Sequence, residues 1–328
     1  MKRKLFIVMV ALLAFSIVSC GNRSGRGFVP GMGTTVQDEY RFVMIPFLAQ
    51  AWFDILYDAA REMAEHLGAM TGTRIIIDYQ ATPVADIVLQ SELLERAIAT
   101  NPDGIAISLI DVETQLPLVQ EAQRRGIPVI LFINVAPPGS GIPYIGNDFF
   151  EQGWVQGVEL MRRINYQGTV AILHGIPTSD PHVHRYNALR SVISQHPNVE
   201  VVSVVFDYDD IEIAAREASA ILAAHPNLSG FGVVNAAGPV GVGIALRESG
   251  RNPGDVVFVG IDDLPQLQEL MIEGWLDLSI ATMPNQIGRW TVISLFLERN
   301  GVPPITNFDT KAAWLTPDML RDGLIRGF

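Results

Sequence analysis

The chain has 328 residues, of which 48% are hydrophobic and 18% charged, and its formal net charge at pH 7 is −12. This composition excludes a disordered or collagen-like chain and provides enough apolar mass for two folded domains. The acidic balance disfavours nucleic acid as a partner, because the chain repels phosphate backbones. With a single cysteine no intramolecular disulfide forms, so packing must supply the stability.

The N-terminus has the pattern of a secretory signal peptide over residues 1–19. Three basic residues, Lys2, Arg3 and Lys4, precede an apolar run from Leu5 to Val18. That run is too short and wrongly flanked for a permanent membrane span. The sequence therefore predicts a secreted, extracytoplasmic protein.

The only cysteine, Cys20, directly follows this apolar run. One interpretation is a stray thiol near a cleavage site. The other is lipidation, because small Ser19 followed by a cysteine resembles a bacterial lipobox, whose cysteine becomes the lipidated first residue of the mature protein. We expect lipidation, with the membrane contacted only through this anchor.

Residues 20–38 are then a lipidated tether. They are rich in Gly, Ser and Thr and have no hydrophobic period, which is typical of a flexible linker. Removal of residues 1–19 takes away three basic and no acidic residues, so the formal net charge changes from −12 to −15. The mature protein is more acidic than its precursor.

Short apolar segments alternate with segments of helical spacing from Tyr40 onward. The predicted strands are RFVMIPF, RIIIDY, GIAISLI, PVILFIN, TVAILH, VEVVSVVF, GFGVVN, VVFVGI and LSIAT. Strands that are apolar throughout are buried on both faces, which favours parallel sheets covered by helices. The alternation runs twice, and its first set of units ends near Tyr144–Asp148. We therefore predict an α/β protein with two doubly wound, Rossmann-like lobes.

The first helix shows its buried face in the sequence. Leu56, Ala60, Met63 and Leu67 are spaced to form one stripe, and Gly68 is predicted to end the helix.

Polar and aromatic side chains follow the predicted strands. Ligands of doubly wound sheets bind beyond the carboxyl ends of the strands, so these residues are candidates for a site. They are Gln50, Trp52, Phe53, Asn134, the loop 175–186, Asp207–Asp210, Asn235, Asp262, Asp263 and Thr282. Amides and carboxylates bind hydroxyl groups in fixed directions, and aromatic rings stack on sugar faces or nucleobases. The set lacks a nucleophile held by a base, so it predicts binding and not catalysis.

Seven segments, in order, resemble the type I (ribose/galactose-type) periplasmic binding proteins, whose ligand domain is shared with LacI-type repressors. The resemblance covers about residues 40–315. It is carried by QAWFDILYDAAREMAEHLG, NPDGIAIS, RRGIPVILFIN, YIGNDFFEQG, GFGVVNAAGPVGVGIALRESG, VVFVGIDDLP and IATMPNQIG. It implies two lobes joined by a multi-segment hinge: residues 39–147 with 282–305, and residues 148–281 with 306–328.

The resemblance also implies roles for single residues. Gln50 stands where the family often has a hydroxyl-binding Asn, and Trp52 and Phe53 match its sugar-stacking aromatics. Tyr208 falls at an aromatic ligand position. The ligand-binding Asn and Asp of the family correspond to Asn235 and Asp262.

The sequence departs from the family at several of these positions. Where the family has Asp-Arg after the fourth strand, this chain has Ile133-Asn134. The arginine that the family has in the loop after AILHG has no counterpart near Val183. This leaves His182, His184 and Arg185 as substitutes, of which we expect His184 to contact the ligand. Thr282 replaces a common Gln. With fewer arginines the resemblance implies a ligand other than ribose, such as a less hydroxylated sugar or a nucleoside.

Each candidate also has a structural interpretation. Trp52 and Phe53 could be core, and Asn235 or Asp262 could cap a helix, although Asp263 is the better cap. The acids Asp209 and Asp210 are expected to begin a helix. His174, His182 and His184 have no Cys or carboxylate partner at metal-ligand spacing, and GPVGVG lacks the Lys-Ser/Thr of a phosphate loop. We expect no metal and no cofactor.

The function implied is a monomeric, lipid-anchored solute-binding protein that supplies a small polar ligand, most simply a sugar, to an ABC permease. One alternative keeps the fold and makes the chain a sensor for a chemoreceptor or histidine kinase. A LacI-type repressor requires a basic N-terminal helix-turn-helix where this chain has a signal sequence. A sugar hydrolase requires two carboxylates held across a bond, and no such pair is evident.

Overall fold

The computed structural model describes residues 36–135, 137–303 and 307–322. The predicted signal peptide, the lipidation residue Cys20 and the tether up to residue 35 lie outside the described residues. Within the described ranges no helix is both long and apolar enough to cross a bilayer.

The strands, in chain order, alternate with helices as the sequence predicts. They are β1 (Glu39–Ile45), β2 (Arg74–Tyr79), β3 (Gly104–Ile107), β4 (Val129–Phe132), β5 (Tyr144–Gly146), β6 (Gly168–Leu173), β7 (Val199–Val205), β8 (Gly230–Val233), β9 (Val257–Ile261), β10 (Leu278–Ala281), β11 (Phe308–Asp309) and β12 (Ala313–Leu315). All nine predicted strands are present. The unpredicted β5, β11 and β12 are only two or three residues long, which is too short to show a period.

Apart from the short last helix, which buries none of its residues, the helices cover the sheets and present their apolar stripes to them. They are α1 (Ala51–Thr71), α2 (Ile87–Ala99), α3 (Val112–Arg124), α4 (Phe149–Arg163), α5 (Asp180–Ile193), α6 (Ile211–Ala224), α7 (Gly238–Glu248), α8 (Pro265–Ile272), α9 (Pro284–Arg299) and α10 (Pro317–Arg321).

The strands form two six-stranded sheets with corresponding strand orders. The first has the order β2-β1-β3-β4-β5-β11 and the second β7-β6-β8-β9-β10-β12. The pairs are parallel except for β12, which runs antiparallel to β10. Each sheet is a doubly wound layer between helices, so the predicted fold class is confirmed.

The end of the first helix differs from the prediction. Helix α1 passes through Gly68 and ends at Thr71, and Gly72 caps it in the left-handed region at φ 70°. Gly68 is needed for a different reason, because a Cβ there would lie 2.7 Å from the Thr73 carbonyl oxygen. The prediction that Gly68 ends this helix is therefore wrong, because Gly72 is the residue that caps it.

The chain crosses between the sheets three times, at residues 147–148, 282–283 and 310–312. The predicted third boundary at residue 306 differs from the observed pairing, because Phe308 and Asp309 of β11 pair with β5 in the first sheet. Phe308 packs against Trp290 of α9, with ring centroids 4.6 Å apart. A two-residue edge strand held by a ring contact leaves no periodic signal in the sequence.

Helix α9 holds helix α1 in place on the first lobe. Gly288 allows the two helices to approach closely, because a Cβ at this position would lie 2.1 Å from the Leu56 carbonyl oxygen. This matters for function, since the first turn of α1 carries residues that face the second lobe.

The two lobes touch along the carboxyl ends of their strands. Ile176 and Ala236 of the second lobe belong to the same buried apolar cluster as Phe47, Trp52 and Phe53 of the first. The apolar core is therefore continuous across the gap between the lobes, and the structure has the closed arrangement.

Candidate functional site

A cavity lies between the lobes, at the carboxyl ends of both sheets, and its volume is about 310 Å³ when the solvent at its mouth is included. Aromatic and aliphatic side chains form part of its wall, and amide, carboxylate, imidazole and guanidinium groups form the rest. The lining residues are Phe47, Gln50, Trp52, Phe53, Ile133, Pro181, His182, Arg185, Asp209, Ala236 and Asp262. An apolar wall with a few converging polar groups is typical of a small-molecule site.

The first polar bridge across the gap joins Gln50 to Asp209. Gln50 is the N-cap residue of α1, and its side chain makes no capping hydrogen bond to that helix. Its Nε2 donates to Asp209 Oδ2 at 2.9 Å. Asp209 is oriented from behind, because its Oδ1 accepts hydrogen bonds from Asn235 Nδ2 at 3.0 Å and Ala237 N at 2.9 Å.

The second bridge joins Trp52 to Asp262. The indole Nε1 donates to Asp262 Oδ1 at 2.9 Å and to Thr282 Oγ1 at 2.8 Å. The hydroxyl of Thr282 donates in turn to Asp262 Oδ1. The indole ring stands perpendicular to the ring of Phe53, with centroids 5.1 Å apart. Trp52 is thus held by its polar edge at the cavity wall.

Burial changes the acidity of two carboxyl groups at this site. It raises the pKa of Asp262 to about 7, against the opposing effects of the Arg185 guanidinium and the Thr282 hydrogen bond. It also raises the pKa of Asp207 to about 7, and the neighbouring Asp209 carboxylate adds to that increase. Asp207 accepts from Asn235 Nδ2 at 2.7 Å and lies behind Asp209.

The cationic side of the cavity is formed by α5. Arg185 donates from Nε to Gln152 Oε1 at 2.7 Å and from Nη1 to the Val234 carbonyl at 3.1 Å, and its guanidinium lies over the Phe149 ring. Burial lowers the pKa of His182 to about 4, so this imidazole is neutral at pH 7 and its Nδ1 accepts from Ile176 N. Arg185 is therefore the cation that balances the carboxylates of the cavity.

Several residues at the strand ends have left-handed backbone conformations although they are not glycine. Their φ angles are 73° at Ile133, 56° at Tyr208, 61° at Asp209, 76° at Asp262 and 57° at Met283. Each such residue costs about 1–3 kcal/mol, and such strain persists where the surrounding structure fixes it, commonly at functional sites. Three of the five line the cavity.

The structure distributes the sequence-predicted site residues among three places. Gln50, Trp52, Phe53 and Asp262 line the cavity. Asn134, Asn235 and Thr282 are buried next to lining residues, where Asn134 donates to the Leu109 carbonyl and Asn235 orients Asp209. His184 and Tyr208 are exposed and do not line it.

The local backbone geometry explains why His184 and Tyr208 do not line the cavity. Neighbouring helix residues point about 100° apart, so His182 and Arg185 share the buried face of α5 and His184 does not. Tyr208 and Asp209 are both left-handed, and the turn they form directs Asp209 inward while Tyr208 stays 58% exposed. The helical spacing of His182 and Arg185 was the signal in the sequence that could have found them.

The capping predictions had mixed outcomes. Asp210 is the N-cap of α6 and accepts from Ile213 N, as expected of an acid that begins a helix. Asp263 does not cap α8, whose N-cap is Leu264, and Asn235 does not cap α7, whose N-cap is Ala237. Among the described residues no group of His, Cys, Asp or Glu could hold a metal ion.

A family model described as "Periplasmic binding protein domain" matches residues 41–298, more than half of the chain. The chain belongs to this periplasmic binding protein family. The xylose/arabinose-binding protein XylF of Sulfolobus acidocaldarius is 26% identical to this chain over 249 residues. The match covers 71% of this chain and 61% of XylF, so this chain spans less than two thirds of the length of that relative. The ribose import binding protein RbsB of Escherichia coli K12 is 24% identical over 246 residues, covering 75% of this chain and 80% of that protein.

Solved structures of other proteins share the fold of this chain. An ABC transporter solute binding protein from Burkholderia graminis C4D1M, in complex with D-arabinose, superimposes with a TM-score of 0.81 at 24% identity. The match covers 87% of this chain and 98% of that one. The recognition of a type I periplasmic binding protein from sequence is therefore confirmed.

We predict that Asp207→Asn gains stability relative to the wild type as the pH rises. The folded-state pKa of Asp207, about 7, lies above its ordinary value, so the folded wild type loses stability between about pH 4 and 7, where its unfolded state is already ionised. Asparagine keeps the acceptor used by Asn235 and carries no charge. The difference in unfolding free energy between variant and wild type should change by about 2 kcal/mol in favour of the variant from pH 5 to pH 8.

Urea unfolding at both pH values measures this difference. Asp58→Asn, at an exposed carboxylate on α1, is the matched control and should show little change between the two pH values. An equal response of the two variants would show that burial does not raise the pKa of Asp207.

Proposed function

We propose that this chain captures a monosaccharide between its lobes and delivers it to an ABC importer. One observation carries the proposal: the interlobe cavity combines aromatic rings with an amide, carboxylates and a guanidinium contributed by both lobes. These are the groups that recognise a small molecule with hydroxyl groups on its edges and C–H groups on its faces. Its closed form is held by bridges from the first lobe to the second.

The chemistry of the cavity favours a neutral ligand. Arg185 faces the carboxylates of Asp209 and Asp262, and Asp262 has a pKa near 7, so the polar wall has no large excess of either charge. The carboxylates accept hydrogen bonds from hydroxyl groups, and the guanidinium donates to ring or hydroxyl oxygens. The rings of Phe47 and Phe53 supply the apolar contact.

The mechanism is closure about the three crossing segments. A ligand that touches both walls binds more tightly to the closed form than to the open form, and this difference shifts the population towards closure. The direct bridges from Gln50 and Trp52 to the second lobe add to the stability of the closed form. Ligand binding and lobe closure are then one thermodynamic event.

The biological role follows from the family and its named members. A periplasmic binding protein acts outside the cytoplasm, and relatives of this chain are named for ribose import and for xylose and arabinose binding. We propose the same class of ligand here, without chemical change to it, and a monomer that docks on its permease. The anchor at Cys20 keeps the protein at the membrane, through lipid alone.

A thermal-shift screen of the mature protein against pentoses, hexoses and nucleosides tests the ligand class. A pentose or hexose should raise the melting temperature in a concentration-dependent way, because a ligand that binds only the folded state stabilises it. Stabilisation by nucleosides alone would replace the proposed ligand class with another, and turnover of a bound sugar would contradict a binding-only role.

We predict that Trp52→Phe weakens binding of the sugar found in that screen. Phenylalanine keeps an aromatic ring and removes the indole N–H, so the closed form loses its hydrogen bond to Asp262. At pH 8, above the pKa of Asp262, this hydrogen bond has a charged acceptor and contributes about 1.5–3 kcal/mol, so the dissociation constant should rise about tenfold to a hundredfold. Calorimetry measures it, with Trp275→Phe, outside the cavity in the second lobe, as the matched control. Unchanged affinity in the Trp52 variant would remove this residue from the site.

We predict that Cys20→Ser releases the protein from membranes, because serine cannot accept the thioether-linked lipid. Fractionation of cells that express the full precursor measures the soluble share of each form. The variant should retain the sugar affinity of the wild type. Continued sedimentation of the variant with membranes would contradict the anchor.

A further inference from the structure

Two buried polar side chains lie directly behind the wall of the interlobe cavity. Asp207 follows β7, Asn235 follows β8, and both are 0% exposed. Both contact Asp209, whose carboxyl group lines the cavity. Asn235 Nδ2 donates to Asp209 Oδ1 at 3.0 Å, and Asp209 N donates to Asp207 Oδ1 at 2.9 Å. The proposed function uses Asp209 and gives Asp207 no role.

The hydrogen bonds of the Asp207 carboxyl group fall on one of its two oxygens. Oδ1 accepts from Asn235 Nδ2 at 2.7 Å and from Asp209 N at 2.9 Å. Oδ2 is buried, and no donor among the described residues reaches it. An ionised carboxylate has two equivalent acceptor oxygens, and both require donors when they are buried. One paired and one unpaired oxygen is instead the pattern of a carboxylic acid whose proton is on the unpaired oxygen.

A second unpaired acceptor lies beside the first. Asn235 directs Nδ2 at the carboxyl groups of Asp207 and Asp209, and its Oδ1 is buried without a donor among the described residues. The two unpaired oxygens approach the same point, because a Cβ on Gly238 would lie 2.4 Å from Asn235 Oδ1 and 2.7 Å from Asp207 Oδ2. Glycine leaves the space that both oxygens occupy. Two buried acceptors side by side are destabilising unless one of them carries a proton for the other.

We propose that Asp207 carries a proton on Oδ2 and donates it to Asn235 Oδ1, and that this acid–amide pair positions Asp209 for sugar binding. The two side chains then exchange two hydrogen bonds, since Asn235 Nδ2 also donates to Asp207 Oδ1. The second hydrogen of Nδ2 is left for Asp209. Asp207 is a positioning residue, because it acts on the sugar only through its neighbours. This role rests on the proposed function, whereas the shared proton does not.

The surroundings of Asp207 favour its protonated form. Burial, together with the carboxylates of Asp209 and Asp210 in the same turn, raises the pKa of Asp207 to about 7. The hydrogen bonds from Asp209 N and Asn235 oppose that increase. A proton on Asp207 removes the repulsion between neighbouring carboxylates in a space that water does not reach.

The charged groups of the neighbouring elements act on Asp209. Arg185 and His182 of α5 both face it. Burial lowers the pKa of His182 to about 4 and also lowers the pKa of His174, which follows β6, so both imidazoles are neutral at pH 7. The first turn of α7 has no titratable side chain. A change in the charge of Asp207 therefore acts on the cavity through Asp209.

Ionisation of Asp207 breaks the acid–amide pair. Above about pH 7 its Oδ2 becomes an acceptor that repels Asn235 Oδ1, so Asn235 no longer fixes the orientation of Asp209. The protonated form then binds sugar more tightly than the ionised form, and the sugar affinity falls as the pH rises through the pKa of Asp207. By linkage, bound sugar raises the pKa of Asp207 by the same factor.

Carbon-13 NMR of the Asp207 carboxyl carbon, assigned in the wild-type mature protein, tests the shared proton without any sugar. The chemical shift should move from the value of a carboxylic acid to that of a carboxylate with a midpoint at about pH 7. A carboxylate already present at pH 5 would overturn the shared proton, and is what a buried water between the two oxygens would produce.

The same titration with saturating sugar tests the link to binding in the unmodified protein. The midpoint of the Asp207 resonance should rise by about 0.7 of a pH unit or more, which corresponds to about a fivefold difference in sugar affinity between the two protonation states. An unmoved midpoint, with sugar bound, would overturn the positioning role and leave the shared proton in place. A chain that binds no sugar would refute the proposed function and the positioning role, but not the shared proton.

Asp207→Asn isolates the effect on affinity. Its amide donates to Asn235 Oδ1 in place of the proton, so the pair persists at every pH. The sugar dissociation constant of the wild type, divided by that of the variant, should be near one at pH 5 and rise about fivefold by about pH 9. Asp262 titrates in both proteins and cancels from this ratio. With Asp58→Asn, an exposed carboxylate on α1, the corresponding ratio should stay constant. A constant ratio for Asp207→Asn would contradict the positioning role.

Discussion

The hydrogen bond from the Trp52 indole to Asp262 crosses the gap between the lobes, and the arrangement of the site depends on it. Its donor lies in the first turn of α1 and its acceptor follows β9. Thr282, in the second crossing, accepts a hydrogen bond from the same indole and donates one to the same carboxyl group. All three elements meet in this closed arrangement. Burial destabilises the ionised form of Asp262 and raises its pKa, so a hydrogen-bond donor such as the Trp52 indole stabilises this carboxyl group in the closed arrangement. Trp52 and Asp262 therefore both line the interlobe cavity and form the contact that closes it.

The rest of the molecule holds this contact in position. Gly288 brings α9 against α1, so the helix that carries Trp52 cannot shift independently of the first lobe. On the opposite wall, Asp209 is oriented by Asn235 and has a left-handed backbone. Strained backbone and buried carboxyl groups each reduce stability, and both are concentrated at the strand ends. Such features persist where the surrounding fold is rigid enough to fix them, which is what two packed α/β lobes provide.

The sequence predicted the fold well because the fold has a strong period. Continuously apolar strands alternating with striped helices leave few architectures, and the rule that ligands lie beyond strand ends led to Gln50, Trp52, Phe53 and Asp262. The errors arose where local pattern carries no information. His184 was preferred to Arg185 because the phase of α5 depends on how it packs, and Asp209 looked like a helix-starting acid. The pocket between the first and third crossings joins Asp148 to Asp309 and Trp314, which lie far from it in the chain, so only the folded structure could show it.

We propose that sugar binding and lobe closure are coupled through this gap. Small-angle X-ray scattering of the mature protein, with and without a saturating monosaccharide, tests it most directly. We expect a larger radius of gyration without sugar, and with sugar a scattering profile that matches the closed structure. Identical profiles in the two states, for a sugar that calorimetry shows to be bound, would contradict it.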